Sequence, residues 1–220
     1  MRILPVILWL ITSRPADTLP GVSISPHERD SIVQVLFMVD EDDQRYREQL
    51  SFLQDTKAIG SRNKSIDSAE WKAIMIKMRA ADSINLIKVK AILDRYSWLG
   101  ADEIGEQCNT ALFMVIQHAD LPVQERYLPM IREAVAAGRA EPRHLALLED
   151  RVALREGRKQ RYGTQLKWDE RVKAYRLAPL EDPDHVDQLR KSVGLSSLAI
   201  YLAKWGLSWD AEKYKEEPNQ

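Results

Sequence analysis

The sequence has one cysteine, Cys108, among 220 residues. That excludes an internal disulfide and any metal site built from several thiolates. Histidine is scarce as well. His27, His118, His144 and His185 are the only four, and no two stand four residues apart, so the helical pair that binds zinc in metalloproteases is missing. A dedicated zinc site is not expected, although an Asp/His site for a harder cation stays open. There is no run of about 20 apolar residues, the length a bilayer-spanning helix needs, so no transmembrane segment is expected. Charge of one sign is missing too. Lys plus Arg number 32 against 33 Asp plus Glu, which gives no basic excess for nucleic acid and no acidic tail. No P-loop, dinucleotide fingerprint, nucleophile elbow, paired-cysteine or EF-hand motif occurs.

What remains is the composition of a folded chain. Hydrophobic residues make up 45% and charged residues 30%, which argues against wholesale disorder. The length suits one large domain. At the amino terminus, Met1-Arg2 precedes an almost unbroken apolar run from Ile3 to Ile11. A positive start and a short apolar core resemble a secretory signal, assigned here to residues 1–16. The expected location is then periplasmic or secreted. The alternative is a buried strand or helix start in a cytoplasmic protein.

Residues 17–27 read as a linker and 28–209 as a single helical domain, followed by a polar tail over 210–220. The fold class is mainly α: several helices with one small β-hairpin in the C-terminal third. The spacing predicts helices over 28–55, 68–96, 101–118, 122–137, 142–156, 184–193 and 196–205. Alternation at Tyr162, Thr164, Leu166 and Trp168, then at Val172 to Leu177, predicts the hairpin.

Candidate site residues are polar groups at positions where apolar ones belong. In the second helix Asp82 and Asn85 interrupt a face made by Trp71, Met75, Met78, Val89, Leu93 and Tyr96. A buried carboxylate without a partner costs several kcal/mol or takes up a proton. The next helix is apolar all round from Ala111 to Ile116, and such a helix is buried on every side. Polarity returns at Gln117, His118 and Asp120. His118 continues an inward face, where it can act as base, ligand or switch, or stand as a bonded core histidine. In the first helix Val33, Leu36 and Phe37 make the stripe, and Asp43 with Arg47 reads as an exposed i,i+4 pair. Asp150 and Arg151 point off their helix's core stripe; the arginine could pair with Asp82 or Asp120, or the two could form a surface ion pair. Gln160, Tyr162, Gly163 and Gln165 lie in a loop between a helix end and a strand, a common place for binding groups.

At these positions the chain resembles a bacterial domain family of unknown function. The matching segments are Asp82 with Asn85, Gln117 to Asp120, Asp150 to Val152, Gln160 with Tyr162 to Gln165, and Arg190 with Gly194-Leu195. The resemblance spans roughly residues 30 to 203, and Trp98-Leu99-Gly100 departs from it slightly. It implies that these positions form one site, and it supplies no reaction.

Three functions fit. The first is a pocket for a small polar ligand or peptide, gathering Asn85, Gln117, Asp150, Arg151, Gln160, Tyr162, Gly163 and Gln165. The second is a hydrolase with His118 as general base, held by Asp82 or Asp120, or with a bound cation in its place. The third is a satisfied internal network without a ligand. The sequence names no cofactor and no oligomeric state.

Overall fold

The computed structural model describes residues 24–60 and 68–216. The expected signal segment, most of the expected linker and residues 61–67 lie outside them.

Two long helices open the fold, α1 (Pro26–Gly60) and α2 (Ser68–Tyr96). Ser25 and Glu28 start α1 with a reciprocal cap: the Glu28 N–H donates to Ser25 Oγ at 3.3 Å and the Ser25 N–H to Glu28 Oε2 at 3.2 Å. The face that α1 buries is Ile32, Leu36, Val39 and Asp43, at steps of four, three and four residues. Phe37, expected on this face, is 43% exposed. It lies a residue off the line that packs.

The helix expected over 101–118 is two helices, α3 (Ala101–Ile104) and α4 (Glu106–His118). Gly105 between them has φ +83°, a backbone state open to glycine and closed to a continuing helix. Within α4, Ala111, Leu112, Phe113, Val115 and Ile116 are buried, as the all-round apolar pattern requires. Full burial of Leu112, Phe113 and Ile116 contributes roughly 2 kcal/mol each. Leu36, Val89, Leu93, Tyr127, Ile131 and Leu148 complete this core.

Helices α5 (Leu121–Ala136) and α6 (Pro142–Arg155) pack on each other and on α4. A hairpin follows, β1 (Leu166–Asp169) with β2 (Ala174–Leu177), antiparallel with Leu166 opposite Leu177. It starts later than the alternation suggests, because Tyr162 and Thr164 belong to the loop before it. The chain continues through α7 (Val186–Ser192), α8 (Leu198–Ala203) and α9 (Ala211–Glu216), the last in a stretch whose composition reads as a tail. Leu177, Leu180, Val186, Leu198 and Leu202 form a second, smaller core. Among the described residues, no helix is long and apolar enough to cross a membrane.

Candidate functional site

The site begins at the corner between α4 and α5. His118 is the last residue of α4, and Ala119 leaves the helix with extended backbone. Asp120 starts α5 as its N-cap: its carboxylate accepts from the Val123 N–H at 3.4 Å. This cap turns the chain and leaves the His118 ring facing α1 and α2.

The acid that holds His118 is Asp43, not Asp82 or Asp120. His118 Nδ1 lies 3.0 Å from Asp43 Oδ1. Asp43 is 2% exposed, while the His118 side chain is 20% exposed. Three groups surround the carboxylate. Besides the imidazole, Arg47 Nη1 lies 3.0 Å from Oδ1 and Gln44 Nε2 donates to Oδ2 at 2.8 Å. Charge-assisted contacts of this kind offset the desolvation of a buried carboxylate. Arg47 also donates to the Asp43 carbonyl, and its Nη2 reaches Asp82 Oδ1 at 2.9 Å. One guanidinium therefore bridges carboxylates from two helices.

Asp43 and Arg47 correct the expectation of an exposed pair. The i,i+4 spacing is that of a solvated ion pair, but here the acid points inward. The signal was present in the register: Ile32, Leu36, Val39 and Asp43 share one helical face, so Asp43 continues the buried line.

His118, Asp82 and Asp120 converge, as the sequence suggests. With Asp43, Arg79 and Ser83 they line a cavity of about 370 Å³, closed on its apolar side by Leu86, Val115 and Ala119. Because Nδ1 is engaged with Asp43, the nitrogen left for this space is Nε2. A carboxylate on Nδ1 selects the tautomer with its proton on Nδ1 and a lone pair on Nε2. The cavity thus holds an oriented imidazole beside two further carboxylates and a guanidinium.

The other expected site residues are placed elsewhere. Asn85 is fully buried between α1 and α2, where Nδ2 donates to the Val39 carbonyl at 3.2 Å. It does not line the cavity. Gln117, a residue before His118 and about 100° round the helix from it, is buried and faces α6. With its amide oxygen turned toward α6, it accepts from Arg151 Nε at 2.8 Å and Nη2 at 3.2 Å. Arg151 therefore pairs with neither Asp82 nor Asp120.

Asp150 is 1% exposed, not part of a surface ion pair. It accepts from the N–H groups of Arg161 at 2.7 Å, Tyr162 at 3.0 Å and Thr164 at 2.9 Å, and from the Thr164 hydroxyl at 2.9 Å. Burial pushes its carboxyl above the usual carboxylate range, against the pull of those donors. Gln160 is equally committed. Its Nε2 donates to the carbonyls of Gln165 and Ala178, and its Oε1 accepts from the Gln165 N–H. Arg190, 2% exposed, closes the loop from the other side through the carbonyls of Tyr162, Gly163 and Ser196. Gly163 has φ +66°, and a Cβ there would stand 3.1 Å from Leu198 Cδ1. Burial raises the Tyr162 phenol above its ordinary range. None of Tyr162, Gly163, Thr164 or Gln165 lines the His118 cavity.

The expected single site is therefore two clusters on either side of the α4 terminus. One is open and contains the His118 imidazole. The other is closed, with its donors and acceptors spent on holding a loop. Among the described residues, no three His, Cys, Asp or Glu side chains stand together as a metal site.

The chain belongs to a family of unknown function (DUF6624), whose sequence model matches residues 32–211. Neither a curated protein nor a solved structure matches it.

Proposed function

We propose that this member of the family binds a small polar ligand in the cavity at the α4 terminus, and that His118 acts there as a general base in hydrolysis. The observation that supports this reading most is the 3.0 Å contact between His118 Nδ1 and the buried Asp43. Asp43 would orient the ring and stabilise the imidazolium that forms once Nε2 has taken a proton. The cavity leaves room for water and a ligand group beside Nε2. In this reading a water held between Nε2 and the ligand loses its proton to His118 as its oxygen attacks the ester centre, and the imidazolium returns that proton to the leaving oxygen as the ester bond breaks. Asp82 and Asp120 would anchor hydroxyl or amine groups of the ligand, and Arg79 its negative charge.

A second reading applies to the other cluster alone. Asp150, Gln160 and Arg190 are satisfied by backbone groups, which supports a structural role there rather than ligand recognition.

The test is hydrolysis of p-nitrophenyl carboxylate and phosphate esters by the purified chain and by two variants. His118→Ala and Asp43→Asn are each expected to lower the rate by about 10²- to 10⁴-fold, the usual contribution of a positioned base. Circular dichroism checks that both variants fold. Hydrolysis by the wild type that survives both substitutions would overturn the reading.

A further inference from the structure

The outward side of α2 carries a pattern that the core does not use. Ile76, Ala80, Ile84, Ile87 and Ala91 follow one another at steps of four, four, three and four residues, and all five are exposed. The three isoleucines are 68%, 54% and 70% exposed. These steps place the residues on one line along the helix. At 1.5 Å per residue the line runs about 22 Å. The core face of α2, with Asn85, Val89, Ile92 and Leu93, lies on the opposite side. The helix is therefore apolar on two faces, and among the described residues only one is covered.

Basic residues border the exposed line on both sides. Helical spacing puts Lys72, Arg79 and Lys90 along one border and Lys77 and Lys88 along the other. None of the five pairs with an acid among the described residues. Of the three acids of α2, Asp82 is held by Arg47 and Asp94 by Arg126, which leaves Glu70, in the first turn on the Lys77 and Lys88 border, against the five basic residues.

We propose that this face docks the protein on a bilayer surface containing anionic lipids. The helix lies on that surface and does not span it: its isoleucines enter the acyl boundary, while the long lysine and arginine stems extend sideways to the phosphates. Charge decides between occupants. A second copy meeting the same face would bring basic border against basic border, which is repulsive. An acidic protein helix would need carboxylates on both flanks in register. A lipid surface supplies negative charge on both sides without any register. Arg79 belongs to one border and also lines the His118 cavity, as does its neighbour Ser83. Docking thus brings the cavity mouth to the lipid–water interface.

The test is cosedimentation of the full chain with vesicles of phosphatidylcholine alone or mixed with phosphatidylglycerol. Binding is expected to the mixed vesicles only, and to weaken as salt rises. The double variant Ile84→Asp with Ile87→Asp, at two exposed positions, should bind about tenfold more weakly or worse. Lys77→Glu with Lys88→Glu should act in the same direction through charge alone. Absence of binding to the mixed vesicles, or equal binding by both variants, would overturn the proposal. So would a dimer that the isoleucine variant abolishes, which would assign the face to a second copy. Binding of an acidic amphipathic peptide in place of vesicles would assign it to a protein partner.

Discussion

Two histidines of this chain meet opposite surroundings. His118 faces a buried carboxylate and a cavity. His144 is 9% exposed and stacks flat on Phe113, with ring centroids 4.3 Å apart, and its Nδ1 has no hydrogen-bond partner among the described residues. Burial, helped by the neighbouring Arg143, lowers its pKa from 6.5 to about 4. The consequence for stability has a definite sign. Above pH 6.5 His144 is neutral in both the folded and the unfolded chain, so it adds no pH dependence. Below that, the unfolded chain takes up a proton that the folded chain refuses. Stability therefore falls as pH drops from about 6.5 to about 4, by an accumulated amount on the order of 3 kcal/mol. Urea unfolding of the wild type and of His144→Leu across this range should show the slope in the first and a shallower one in the second. Parallel curves would contradict the assignment.

At the scale of elements, the helices are legible because their signals are local. Both long helices, α5 and α6 follow from periodicity, and Asp120, read in the sequence as a site residue, also caps α5. Besides α9, which lies in the stretch read as a tail, two features were not legible. The break at Gly105 depends on a backbone angle, and a glycine inside a helical pattern does not by itself reveal one. The hairpin starts late because the N–H groups of Tyr162, Thr164 and Gln165 are taken by Asp150 and Gln160, leaving none for a strand partner before Leu166. That makes Asp150 the organiser of the loop. Asp150→Ala leaves three N–H groups and a hydroxyl without their acceptor, and each buried orphan costs about 1–3 kcal/mol. A loss of at least about 3 kcal/mol is expected, because several such orphans are made at once. The proposed hydrolysis should persist wherever the variant remains folded. Denaturant titration with parallel rate measurements checks both parts; an inactive variant of wild-type stability would move Asp150 into the reacting site.

Across the whole molecule, α4 is the divider. His118 looks toward α1 and α2, Gln117 toward α6, and the carbonyl of Ala119 accepts from Arg155 at 2.8 Å. The open and the closed cluster therefore share one helix terminus, and the matched family region, residues 32–211, contains both. The sequence marked the open cluster through His118, Asp82 and Asp120, because polar groups on apolar faces need a reason. It hid Asp43, whose histidine partner lies 75 positions along the chain and whose i,i+4 arginine imitates a surface pair. It also merged the two clusters, since misplaced polarity reports burial and does not report which buried groups meet.

In the proposed site Asp43 fixes His118 with its proton on Nδ1 and its lone pair on Nε2, facing the cavity. Long-range proton–nitrogen NMR of histidine-labelled protein in mildly alkaline solution reads that tautomer directly. The expected spectrum shows His118 protonated at Nδ1, with the preference lost in Asp43→Asn. A ring protonated at Nε2, or a tautomer unchanged in the variant, would contradict the claim.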